Sequence, residues 1–138
     1  MARKHALWIG LALLTSGCLG QADSKKADDA TARFYQLLAA KQYQTASDEA
    51  ALDLKNSTSA DDFIAVMQRI DTNMGPCQPP VKRLDIHTNA TSAGFFRDQG
   101  YSRACANGKL NETVTVVVRD GVAKVAGYRF AGPPPSGQ

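Results

Sequence analysis

Two periods divide the chain. Between residues 28 and 74 apolar residues recur every three or four positions, and from residue 81 onward they alternate in twos. The first period is that of helices with one buried stripe, the second that of strands with one buried face. Asp28 and Asp29 open the helical region, where carboxylates complement the positive end of a helix dipole. Ala30, Phe34, Leu37 and Leu38, with the aliphatic stem of Lys41 at the edge, make the stripe of a first helix. A second helix is predicted over residues 43–55, with Tyr43, Ala46, Ala50 and Leu54 on one side, and Asn56-Ser57-Thr58 breaks it. Ser59 caps a third helix, with Asp62 three residues on as an approximate capping box. Its stripe is Phe63, Val66, Met67, Ile70 and Met74, and Gly75-Pro76 ends it.

The alternating region begins at Val81. Leu84, Ile86 and Thr88 alternate with Arg83, Asp85 and His87, which puts His87 on the exposed side. Residues 89–94 are turn-like, and Phe95 and Phe96 either open a second strand or fill a gap in the core. Residues 101–106 form a strand that carries Cys105, and Asn107-Gly108 is a turn signal. The run NETVTVVVR, residues 111–119, is the strongest strand of all. Asp120-Gly121 predicts a type I′ hairpin turn, from which residues 122–130 return antiparallel. Helices followed by a meander make an α+β domain: two or three N-terminal helices packed on a curved antiparallel sheet of about four strands.

Both ends fall outside this pattern. Residues 132–138 (GPPPSGQ) cannot hold regular structure and read as a flexible tail. At the start, Arg3 and Lys4 precede the apolar run ALWIGLALL of residues 6–14, followed by small residues and Cys18. This is the make-up of a secretory signal, and the run falls short of the roughly 20 residues a spanning helix needs. The segment Leu14-Thr15-Ser16-Gly17-Cys18 resembles the lipobox of bacterial lipoproteins. That resemblance implies a diacylglycerol on the Cys18 thiol and cleavage just before it. The alternative is an ordinary signal cut near Gly20 or Ala22. Leu19, in place of Asp, implies transport to the outer membrane, facing the periplasm, in a Gram-negative cell. The organisation is then a signal peptide at 1–17, a lipidated tether at 18–26, one domain at 27–131 and the tail at 132–138.

Charge adds little. The chain has 16 Lys and Arg against 13 Asp and Glu, a net +3, and loss of Arg3 and Lys4 leaves +1, so nucleic acid is not an expected partner. The half before Pro76 is acidic and the half after it basic, read as solvated polar faces in preference to a surface for an anionic partner. Besides Cys18, Cys77 and Cys105 remain, without CxxC spacing and with His87 the one His left after cleavage. They are read as a structural disulfide rather than a redox pair or metal site. No phosphate loop, GxSxG, HExxH or calcium loop is present, and no cofactor is expected.

The segments Phe34-Tyr35-Gln36-Leu37-Leu38, Lys41-Gln42-Tyr43 and the ending from Asp120 to Tyr128 resemble exported bacterial members of the nuclear-transport-factor-like cone, the fold shared with ketosteroid isomerase. The resemblance implies helices packed into a curved sheet. It carries no catalytic signature onto this chain residue by residue. Tyr35, Tyr43, Tyr101, Asp48 and His87 are the polar candidates for chemistry, each read first as an ordinary half-buried or surface residue. The expected function is that of a membrane-anchored module, held by lipid on Cys18, that binds an envelope protein, glycan or lipid without catalysis. The alternatives are an enzyme or small-ligand binder using the cone pocket, and a periplasmic inhibitor or immunity protein.

Overall fold

The computed structural model describes residues 19–132. Helices α1 (Leu19–Ala39), α2 (Tyr43–Glu49), α3 (Leu52–Ser57) and α4 (Ala60–Met74) come first. Strands β1 (Val81–Thr91), β2 (Gly94–Cys105), β3 (Gly108–Arg119) and β4 (Val122–Ala131) follow. The strands pair in sequence order as an antiparallel meander, curved and unclosed. The α+β architecture matches the expectation from the two periods. Cys18 and residues 133–138 lie outside the described residues.

The helices differ from their expected bounds for physical reasons. α1 starts at Leu19 rather than Asp28, so most of the stretch read as a tether is helical. Ala27 is fully buried, Arg97 donates to the carbonyl of Ser24, and Lys25 pairs with Asp29 one turn on. Docking on the sheet holds these early turns where propensity alone leaves them marginal. The single helix expected over 43–55 is two helices. Ala50 and Ala51 adopt extended backbone, and the Ala51 N–H donates to Val125 O at 2.8 Å. Both alanines are buried, so the break is where the chain docks onto the edge of β4. α4 begins as expected: the Ser59 hydroxyl caps the Asp62 N–H, and Gly75 closes the helix at φ 67°.

The strands are longer than their apolar signals. β2 runs unbroken through Asp98, Gln99 and Gly100, joining the Phe95 signal to the Tyr101 signal. The type I′ turn is present, with φ positive at both Asp120 and Gly121. β1 carries an irregularity between Lys82 and Ile86, opposite Gly100. On the face turned to the helices, β3 supplies Leu110, Glu112, Val114 and Val116, and β2 supplies Arg97, Gln99, Tyr101 and Arg103. The apolar core lies under β3 and β4. Phe34 sits 5.6 Å from Tyr128 and 6.3 Å from Phe63, ring centre to ring centre, with Met67, Ile70 and Val125 buried around them.

Cys77 and Cys105 come together at the last residue of β2, with sulfurs 2.02 Å apart, bonding distance. Main-chain hydrogen bonds flank them. Gln78 N donates to Ala104 O, Ala106 N to Pro76 O, and Asn107 N to Met74 O. The segment from α4 to β1 is thereby held along the end of β2.

Candidate ligand groove

A cavity of about 840 Å³ opens between α1 and this clamped segment. Asp28, Thr31, Ala32, Tyr35, Gln36 and Ala39 follow helical spacing along α1 and form one wall. Residues 75–80 form the facing wall, and Tyr101 and Arg103 of β2 form the floor. The volume is within the range of small-molecule sites. The interior of the curved sheet beneath β4 is not part of it, because Phe34, Phe63 and Val125 fill that space.

Behind the floor lies a buried ion pair. Glu112 is almost completely buried, its side chain 0 % exposed, and it accepts from Arg103 Nε at 2.9 Å and Nη2 at 2.6 Å. Tyr128 and Tyr35 donate to the same carboxylate at 2.5 and 3.2 Å. A lone carboxylate in this setting is strongly disfavoured, and four donated hydrogen bonds are what make it tolerable. The Arg103 guanidinium also lies over the Tyr35 ring, 5.5 Å from its centre. Burial works against the charge of Arg103, but the bonds and charge of Glu112 outweigh it and hold the guanidinium above its ordinary range. Burial first, then the Glu112 charge, pushes the hydroxyls of Tyr35 and Tyr128 well above ordinary tyrosine values. Arg103 and the two tyrosines are therefore fixed donors, not groups poised to exchange protons near neutral pH.

A second polar chain enters at the Asp28 end. Tyr101 donates to Gln99 Oε1 at 2.9 Å, Thr31 donates to the same oxygen at 2.7 Å, and Gln99 Nε2 donates to Asp28 at 2.8 Å. Lys82 lies 3.0 Å and Arg97 3.4 Å from that Asp28 oxygen. Two cations therefore share one carboxylate. At the other end, Tyr43 hydrogen-bonds Asp71, tying α2 to α4 beside the groove.

Of the residues singled out in the sequence, Tyr35 and Tyr101 meet in the groove edge to face, 5.2 Å between ring centres. Tyr43 is buried and braces Asp71 from the side. Asp48 is exposed and accepts from Gln44, and His87 is exposed on β1; neither is among the groove residues. Sequence reasoning missed Arg103, Glu112, Gln99 and Thr31. The signal was present but ambiguous, since β2 reads as polar at both alternating sets of positions. Among the described residues no group of three His, Cys, Asp or Glu is placed to hold a metal ion. No family model matches the chain, and no curated protein matches it.

Proposed function

We propose that this chain is a lipid-anchored envelope module that binds a ligand without transforming it. The observation that carries the reading is the groove: a walled cavity of about 840 Å³ whose strongest polar groups are already locked to each other. Arg103 and Glu112 are bidentate partners, and the tyrosine hydroxyls serve Glu112 and Gln99. Such a site offers shape and fixed donors, which suits recognition, while acid–base work needs a group near its own pKa. The order of helices then meander supports placing the domain with the nuclear-transport-factor-like cones, here with the interior packed and the pocket moved to the flank of α1.

Anchoring rests on Cys18, which immediately precedes the first described helix. No helix among the described residues is long and apolar enough to cross a membrane, so on this reading the acyl chains supply the attachment. Two or more acyl chains hold a protein firmly where one is marginal. In a bacterial host, the intact mass of the wild-type chain is expected to carry a diacylglycerol with residues 1–17 removed. Cys18→Ser is expected to move the protein from the membrane fraction to the soluble one. Recovery of unmodified wild-type chain from the soluble fraction would refute the anchoring.

A further inference from the structure

The groove has a chemical bias that narrows its ligand, given that it is a binding site as proposed above. The α1 wall from Asp28 to Ala39 spans about 16 Å, at the helical rise of 1.5 Å per residue. The facing wall is poor in main-chain donors. Pro76, Pro79 and Pro80 have no N–H, and the Gln78 N–H is engaged by Ala104. The main chain of α1 is bonded within its helix, and Tyr101 on the floor is paired to β1 and to β3. An extended peptide needs a row of main-chain partners, and main-chain donors are scarce along these walls. A hydrocarbon needs none, and Tyr35, Leu38, Ala39, Tyr101 and the prolines give it apolar surface.

The charged side chains that line the groove are Asp28 and Asp71 against Lys41 and Arg103. Glu112 is sealed behind Arg103, whose Nε and Nη2 it holds, so Nη1 is the nitrogen left for a ligand. At the Asp28 end, beside the lining residues, Lys82 and Arg97 both approach the one carboxylate of Asp28. Lys41 and Asp71 also line the groove. A guanidinium preset by a buried partner costs little side-chain entropy on binding a planar or tetrahedral anion.

We propose that the groove binds an amphiphile with an apolar body and one anionic head group, a carboxylate or a phosphate. The head contacts Arg103, within the field of Lys82 and Arg97, and the apolar body lies along the α1 wall.

The test is calorimetric titration of the exported Cys18→Ser chain, which keeps every described residue, with decanoate, decyl phosphate and decanol below their micellar concentrations. If the chain proves not to be lipidated, the wild type itself serves, so failure of the anchoring and failure of this assignment are read separately. At least one of the two anions is expected to saturate a single site about tenfold or more tighter than decanol, a difference of roughly 1.4 kcal/mol. The tighter anion then names the head group. Ala32→Trp, on the exposed wall of α1, is expected to abolish binding while leaving the circular dichroism unchanged. Arg103→Lys is expected to weaken the anions and not decanol. Equal binding of decanol and the anions overturns the assignment. So does unchanged binding in Ala32→Trp, or a chain that takes up a proline-rich peptide or a chitin oligosaccharide and none of the three amphiphiles.

Discussion

At the scale of single residues, the decisive position is Glu112. In sequence it is one polar residue in the run NETVTVVVR, at an alternating position that is otherwise valine or leucine. In the fold it is the acceptor around which Arg103, Tyr35 and Tyr128 are organised. The tyrosines make this network visible to pH. Burial, and for two of them the Glu112 charge, raise Tyr35, Tyr128 and Tyr101 above the ordinary value of 10.0. In the unfolded chain the same hydroxyls ionise near that value. Above pH 10 the unfolded chain therefore binds fewer protons than the folded one, and stability falls as pH rises; below pH 10 the contribution is fully present. Tyrosinate absorbance is expected to rise in step with loss of the helical circular dichroism as the protein is titrated upward from pH 10. Ionisation of all four tyrosines with the helical signal intact would contradict it.

Elements show where local preference yields to packing. Two consecutive alanines, the best helix formers, separate α2 from α3. Their burial and the Ala51–Val125 hydrogen bond outweigh that preference, and no local signal in the sequence announces it. The end of α1 shows the reverse. Gln42 N bonds Leu37 O and Lys41 N bonds Leu38 O, a Schellman closure that puts Lys41 at φ 56°. Glycine is the usual occupant, because a side chain there costs roughly 1 kcal/mol. Lys41→Gly is expected to raise stability by about 0.5–1 kcal/mol in urea denaturation at neutral pH. A lower midpoint would show that the lysine stem contributes more to packing than its backbone strain removes. β2 makes a third case: its central residues carry no strand signal, yet neighbours on both sides pair with them and carry the strand through.

At the scale of the molecule, the fold separates a packed half from an open half. Phe34, Phe63 and the β3–β4 valines fill the concave sheet, while among the described residues the β2 side is roofed by α1 and the clamped segment. The Cys77–Cys105 link holds one wall of the groove, but it does not hold it alone. Three main-chain hydrogen bonds and the Asn107 amide on Asn73 O secure the same corner. Cys77→Ser with Cys105→Ser is therefore expected to fold with the groove intact. Its loss of stability should be about 3–4 kcal/mol, the loop entropy of a link across 28 residues. The checks are the denaturation midpoint and retention of ligand binding by the double variant. A variant that is unfolded at room temperature would show that the hydrogen bonds form only behind the disulfide.

By itself the sequence determined the class of fold, the strand order and most helix and turn signals. Each of these follows from periodicity or from residues such as Ser59, Gly75 and Asp120-Gly121, whose side chains or backbone freedom act within a few positions. It also paired Cys77 with Cys105 by elimination. Tertiary structure decided the rest: the early start of α1, the break at Ala50 and Ala51, and above all the groove. That site brings Asp28, Tyr35, Tyr101 and Arg103 together from distant parts of the chain and sets Glu112 behind them. Helical spacing links Asp28 to Tyr35 and strand alternation links Tyr101 to Arg103, but no spacing rule links the one pair to the other. Their meeting depends on which face of β2 the α1 helix covers, and in a strand polar on both faces only packing chooses that face.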